Sequence, residues 1–489
     1  MSLAYRAVLG ALWTITSSVG GRAVGLIANI VLAALLTPEQ YGEANVAMII
    51  VYTANMATYL GFGQYLVANP RAGNDVAFHA TFYHISVGWI ALLGVVFAGG
   101  YFAKLYDTPD LGFYISAGAL AVAMERVSFI PGRILAREMR FKVLGIAQMC
   151  GEFMYAGAAL GFAFTGYGAK SLVFAAILRS VVTLLILTLS AERAMWLTPT
   201  RITWKTTREL IDFGLPISIG NILHFGSAKW DNLIVGKVLG TGVVGQYNFA
   251  YNIADIPAAQ VGEHIGDVLL PSFAKLEDAA AQKRALARAS GLLSLIVFPL
   301  AVGLGAVAHS LQRAFLKPNW NLVGSMLVLL SVLSIVRPVG WLISSYLQAT
   351  LRPRVIMTLE AVKALGIVVF VYLFARWLGP LWACTAVGLA FGTHALASIW
   401  VLKARDQIPM SHLLRPIGRP LFACAPMLAV VLAIRYGLNS PSWNAWLALV
   451  VEIAAGAVAY VLGAFAFAGA QSRELIGLLR GALKRQPGA

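Results

Sequence analysis

Six basic side chains stand inside long apolar runs: Arg22, Arg126, Arg179, Lys229, Arg337 and Lys363. Asp231 and Asp255 stand in similar runs. Charge in that setting is costly, and it marks a cavity, a partner or a solute path. The basic groups point to an anionic solute, because the guanidinium fork matches phosphate geometry. A buried carboxylate needs a cation, a proton or a basic partner. Asp231 and Asp255 are therefore the candidates for a coupling ion, Na+ or H+, with a structural ion pair as the alternative. In "SAKWDNLIVGK" (227–237), Lys229 and Asp231 are two residues apart, about 200° around a helix. They face different neighbours. Glu360 and Lys363 are spaced i,i+3 and can pair. Arg126 lies near a span end, where it can snorkel or meet Glu152.

Helical spacing gathers polar residues into stripes. The first apolar run carries Ser18, Arg22, Gly25 and Asn29 on one face, and the second carries Asn45, Tyr52, Asn55 and Tyr59. The eighth carries Asn248, Tyr251 and Asp255; the tenth carries Ser334, Arg337, Trp341, Ser344 and Gln348. Such stripes line a water-filled vestibule or form helix–helix seams. On the vestibule reading, Arg22, Lys229 and Arg337, with Asn29, Asn45 and Asn248, bind the solute. No metal-ligand, Walker or nucleotide-binding pattern occurs in the sequence. No catalytic residue and no cofactor beyond a coupling ion is expected. Transport would run on an ion gradient or on mass action.

The elements that hold these residues are membrane helices. Of 489 residues, 59% are hydrophobic and 12% charged, and the mean hydropathy is +0.76. A soluble domain carries about 25% charge. Fourteen apolar runs can be marked between residues 8 and 468, each about 20 residues or longer, enough to cross a bilayer. They are continuously apolar rather than alternating, which predicts helices and not a barrel. Cys150, Cys384 and Cys424 lie within the runs and imply no disulfide framework. The first run is too long for a leader h-region and is expected to stay as the first helix.

Charge fixes the expected orientation. Loops on the side of the termini, with the termini themselves, hold 24 Lys and Arg, against 7 on the other side. That puts both termini in the cytoplasm and makes the net charge of +16 a matter of topology, not of nucleic-acid binding. Trp196, Trp320, Trp377, Trp382 and Trp443 fall near run ends, where such rings favour the interface. Every loop is too short to hold a catalytic domain. The end "SRELIGLLRGALKR" reads as a basic amphipathic helix on the inner leaflet.

An internal repeat organises the runs. "NIVLAALLTPEQYGEANVA" (29–47) and "NLIVGKVLGTGVVGQYNFA" (232–250) align at an offset of 203 residues, pairing Asn29 with Asn232, Gly42 with Gly245 and Asn45 with Asn248. The offset is six runs, an even shift, so both halves cross the membrane in the same sense. The expected fold is all-α and polytopic, with about 14 transmembrane helices. Two parallel six-helix lobes (1–195 and 196–410) precede helices 13–14 (411–470) and a cytoplasmic basic tail (471–489). Mid-span prolines are expected only in the second lobe (Pro216, Pro257, Pro299, Pro338) and in helix 13 (Pro426).

"DNLIVGKVLGTGVVGQYNFAYNI" (231–253) resembles the seventh and eighth helices of bacterial polysaccharide flippases, at Asp231, Asn232, Gly236, Leu239, Gly240, Gly245, Tyr247, Ala250 and Tyr251. "RAVGLIANIVLAALLTPEQYG" (22–42) and "YLGFGQYLV" (59–67) look like that family's first two helices. The family lies in the multidrug/oligosaccharidyl-lipid/polysaccharide exporter superfamily. The resemblance implies alternating access between two lobes in a multi-pass inner-membrane protein. It implies an undecaprenyl-pyrophosphate-linked oligosaccharide as cargo, for O-antigen, capsule or exopolysaccharide. Implied partners are that lipid-linked oligosaccharide, membrane lipids, and polysaccharide polymerase and chain-length proteins, with no nucleic acid. Arg22 and Asp231 fall in helices where related flippases place a cavity arginine and a sodium site. Three alternatives stay open: a lipid II flippase, a multidrug/cation antiporter of the same superfamily, or a membrane polymerase or ligase. Cavity cations disfavour the antiporter, and short outer loops disfavour the enzyme.

Overall fold

Asn444 and Gly73 each precede a long apolar helix, and one rule shapes both. Long apolar sequence closes its backbone hydrogen bonds within each segment, because lipid offers none. The computed structural model describes residues 20–21, 24–69, 72–257, 279–350, 352–408, 410–437 and 444–484. Among them the chain is helical, without strands. The helices are α1 (Val24–Leu35), α2 (Pro38–Ala57), α3 (Phe62–Ala68), α4 (Asn74–Phe97), α5 (Gly99–Tyr106), α6 (Leu111–Arg137), α7 (Phe141–Phe164), α8 (Lys170–Ser190) and α9 (Ala194–Leu197). There follow α10 (Trp204–Leu239), α11 (Thr241–Pro257), α12 (Ala279–Phe315), α13 (Val323–Ala349), α14 (Pro353–Leu378), α15 (Pro380–Asp406), α16 (Met410–Gly437), α17 (Ala445–Phe467) and α18 (Gly469–Lys484).

Local chemistry sets the breaks. Thr37 and Gln40 form a reciprocal capping box on α2, with Pro38 in the first turn. Gly379, at φ +92°, separates α14 from the proline that opens α15. Ten described helices are long and apolar enough to cross a bilayer, and eleven spans result if the α2–α3 pair, bent by 55°, is one. The remaining expected runs fall on α1, on α11, and on α10, whose polar residues keep it off that count at 36 residues. Leu447, Val450, Val458, Val461 and Leu462 of α17 are all more than half exposed, as lipid-facing side chains are.

By internal contacts the chain divides into two compact units, Met1–Gly245 and Gln246–Ala489. In the first, α6 packs on α4 and α8, and α7 on α8. In the second, α13 packs on α12 and α15, and α14 on α15. This is the same order of partners after a shift of six expected runs. α16 and α17 pair with each other and lie along α12. α10 packs on α2 and α3 and so belongs to the first unit by contact, whereas the sequence repeat starts a new lobe with it. Kinship and packing draw their boundaries in different places.

The repeat also shows as a reciprocal contact. A Cβ on Gly42 would stand 1.9 Å from the Thr241 carbonyl oxygen, and a Cβ on Gly245 would stand 1.9 Å from that of Pro38. Both residue pairs are matched at the 203-residue offset, so each motif touches the other with the same atoms.

Two expectations are corrected. Pro131 lies within α6, so the first lobe also has a helix-internal proline. Trp196 and Trp320 are 4% and 0% exposed and serve as core rather than belt, while Trp377 and Trp382 are exposed.

Candidate functional site: charged centres inside the helix bundles

The charges fall into separate centres, each assembled within one unit. The first lies at the α2–α3 bend. Residues 58–61 leave the helix, so carbonyls of the last turn of α2 lose their partners. Irregular backbone at membrane depth is tolerated only where protein re-satisfies it. Arg126 of α6 does so. Its Nε donates to Asn55 Oδ1 (2.7 Å), its Nη1 to the carbonyls of His84 (2.8 Å) and Thr58 (3.4 Å), and its Nη2 to the Asn55 carbonyl (2.6 Å) and to Thr58 Oγ1. Arg126 is 1% exposed, so it does not snorkel and does not bind Glu152. Gly88 makes room for it, since a Cβ there would collide with the guanidinium. Ser218 of α10 donates to the Tyr59 carbonyl, and Gly214 lets α10 approach Leu60. Gly61, at φ +62°, turns the chain into α3.

A second centre joins α2, α6, α7 and α8. Glu125 accepts hydrogen bonds from Tyr52 Oη (3.2 Å) and Ser180 Oγ (3.3 Å). Nearby, Arg179 pairs with Glu152 at 3.3 Å. Gly21 and Gly25 turn toward Glu152, so these two glycines lie against this pair. Arg22, on the expected stripe of helix 1, lies outside the described residues, as does Ser18. Glu125 was not among the residues singled out by spacing. Its signal was the neighbour relation "ER" at 125–126, a carboxylate beside the bend-capping arginine.

The third centre is in the second unit. Arg337 of α13 forms an ion pair with Asp255 and donates to Tyr251 Oη, both of α11. Its guanidinium carbon lies 5.1 Å and 4.5 Å from the ring centres of Tyr251 and Phe391. At the same Phe391 ring, Lys363 binds Glu360 at 2.6 Å, the i,i+3 pair read from the sequence, and sits 5.5 Å over Phe391. His394 stands 3.9 Å from Glu360. In both units, then, an arginine on the fourth repeat helix (α6, α13) holds the second (α2, α11).

Lys229 and Asp231 lie on α10 in the first unit. Asp231 and Asn232 are fully buried, and Asn232 donates its backbone N–H and Nδ2 to Asp231 Oδ1, both at 2.9 Å. Lys229 is half-buried and also engaged. Asn29 is half-buried on α1, and Asn45 donates to the Tyr41 carbonyl of its own helix at 2.7 Å. Asn248 is 2% exposed and accepts from Asn252 at 2.8 Å. The structure brings Arg337 and Asp255 together, and sets Asn29, Asn45, Lys229 and Asp231 in the other unit. Tyr52 and Asn55 of the α2 stripe bind α6, so that face is a helix–helix seam.

Long apolar helices with paired charges inside each unit define a polytopic, all-helical membrane protein among the described residues. Residues 31–325 match the family described as "Polysaccharide biosynthesis protein", and the chain belongs to that family. It is 24% identical to the lipopolysaccharide biosynthesis protein WzxC of Escherichia coli over 358 residues, 72% of either chain. It is 23% identical to the succinoglycan biosynthesis transport protein ExoT of Rhizobium meliloti, over 92% of this chain and 91% of that one. The fold is similar to that of the lipid II flippase MurJ in an inward closed conformation, with a TM-score of 0.72 at 15% identity, across 96% of this chain and all of the other. The polysaccharide family expected from "DNLIVGKVLG" is thereby shown, in a chain with at least ten described helices long and apolar enough to cross a membrane.

Proposed function

We propose that this protein flips undecaprenyl-pyrophosphate-linked oligosaccharide repeat units from the cytoplasmic to the periplasmic leaflet of the inner membrane, by alternating access. The cargo would feed O-antigen, capsule or exopolysaccharide synthesis. The observation that carries the reading is a MurJ-like fold in a chain of the polysaccharide biosynthesis family. The 24-to-7 excess of Lys and Arg supports cytoplasmic termini. Arg22 and Lys229 are the proposed contacts of the pyrophosphate or of acidic sugars. Arg337 joins them only after giving up Asp255, its present counter-charge. Asp231 and Glu125 are the proposed coupling groups for Na+ or H+, and Asp255 could serve only on leaving Arg337, its present partner. Polymerase and chain-length proteins would take up the product.

The test is the lipid fraction of a strain lacking this protein. A complete lipid-linked repeat unit confined to the cytoplasmic leaflet is expected, and its mass names the sugar. Accumulated lipid II instead would assign the peptidoglycan precursor. Normal lipid-linked intermediates with normal surface polymer would overturn the proposal.

A further inference from the structure

The α2–α3 bend carries a second arginine that the bend itself does not consume. Arg133 stands seven residues after Arg126 on α6, two turns on and on the same face. The two differ in their partners. All five donor contacts of Arg126 go to neutral acceptors, so its fork is used up while its charge is not balanced. Arg133 is half-buried and makes one long contact, from Nη2 to Tyr59 Oη at 3.4 Å. Among the described residues neither arginine has an ion-pair partner: Glu138, Glu152 and Asp212 are paired with Arg140, Arg179 and Arg208. Two positive charges thus stand without a counter-charge, and Arg133 is the one with donors to offer.

Aromatic packing holds that fork in place. The Arg133 guanidinium carbon lies 4.9 Å from the ring centre of Phe129. His84 stacks on Phe129 at 4.5 Å, and Tyr59 meets it edge-on at 5.0 Å. Gly63 of α3 leaves the room: a Cβ there would stand 2.5 Å from Phe129 Cε1 and 2.8 Å from Arg133 Cγ. Gln64 Nε2 donates to Tyr59 Oη at 3.1 Å, and Gln64 Oε1 is buried without a hydrogen-bond partner. Turning the amide over exchanges its two ends and still leaves one of them unpaired. Tyr59 belongs to the irregular segment 58–61, whose backbone Ser218 holds. Interrupted helices line the solute sites of repeat-built transporters.

We propose that Arg133, with Tyr59 and Gln64, binds the phosphate of a lipid headgroup at the end of α6. A stacked guanidinium with open donors offers paired, charge-assisted hydrogen bonds to phosphate oxygens. The Tyr59 hydroxyl and the Gln64 amide add neutral donors beside it. The unbalanced charge of Arg126 adds its attraction from two turns away. Arg133 lies four residues before the end of α6 at Arg137, at headgroup depth. The same chemistry belongs to a prenyl diphosphate awaiting translocation and to a bulk anionic phospholipid. The first source rests on the flippase reading above, and the site itself does not.

The test compares two arginines at one helix end. The full chain, released from detergent micelles, is read by native mass spectrometry with farnesyl diphosphate as probe and uncharged farnesol as reference. Wild type is expected to retain the diphosphate at least about tenfold more strongly than farnesol. Arg133→Gln should remove that preference, and Arg133→Lys, which keeps charge without the fork, should retain part of it. Gly63→Ala, which crowds the Arg133 stem and leaves every charge in place, should weaken retention several-fold. Arg137→Gln removes the same charge one turn on and should stay within about twofold of wild type. Competition by dioleoylphosphatidylglycerol assigns bulk lipid as the occupant, and its failure to compete assigns a prenyl-linked diphosphate. No preference in wild type, a preference that survives Arg133→Gln in a folded variant, or an equal loss in Arg137→Gln, as for any solvated arginine, overturns the site. Normal lipid-linked intermediates in the deletion strain, with binding intact, would remove the flippase reading and leave the site standing.

Discussion

Replacing Arg126 with lysine isolates what the guanidinium does at the α2–α3 bend. Five donor contacts, spread over Nε, Nη1 and Nη2, reach acceptors on Asn55, Thr58 and His84. An ammonium has three donors at a single point and cannot span α2 and α4 together. At least two buried acceptors would then lose their partners, at about 1–3 kcal/mol each. The expected destabilisation is about 2–6 kcal/mol. Arg137→Lys is the control, because Arg137 donates one bond, to the Ala72 carbonyl at 3.2 Å, a net contribution of about 1 kcal/mol. The assay is denaturant unfolding of the purified protein, with membrane abundance as a second reading. A loss of 1–2 kcal/mol already lowers abundance several-fold. A cycle with Thr58→Val should show coupling, since the two side chains touch. The reasoning is refuted if Arg126→Lys unfolds at the same denaturant concentration as Arg137→Lys, with no coupling to Thr58.

Further outcomes follow from the other centres. Gly42→Ala brings a Cβ to 1.9 Å from the Thr241 carbonyl, where ordinary contact is 3.4–4 Å. The α2–α11 crossing must therefore open by about 1.5 Å, and overpacking of this kind typically costs about 1–3 kcal/mol. Gly245→Ala should match it in cross-linking and in transport assays, because the contact is reciprocal. Asp255→Asn strands a 9%-exposed Arg337, a loss of about 3–5 kcal/mol in unfolding experiments, and the double variant with Arg337→Leu should recover part of it. In proteoliposomes, Asp231→Asn or Glu125→Gln should abolish the response of transport to an imposed ion gradient while leaving downhill movement. Unchanged gradient dependence in both variants would remove them as coupling groups.

Much of the architecture was legible in the residues. Apolar length gave the spans, since lipid forbids any other closure of the backbone. The Gly42/Gly245 match was only one of several identities in a line of sequence, yet it marks a real backbone crossing. Lys363 with Glu360 was readable because the partners share a helix face. Arg126 was misread because its partners come from α2 and α4, up to 71 residues away, and no spacing rule reaches so far. Asn55 was placed on a vestibule stripe, because a polar face looks the same in sequence whether water or an arginine meets it.

The division of labour follows from range. Composition and periodicity are properties of the chain itself, and they determined a helical membrane protein. Which charge meets which is decided by helices that pack side by side after distant turns. Only the tertiary structure could put Arg337 against Asp255, Glu125 beside Tyr52, and Arg435 beside Glu452. In a low-dielectric interior those pairings set whether a charge is a brace or a binding group.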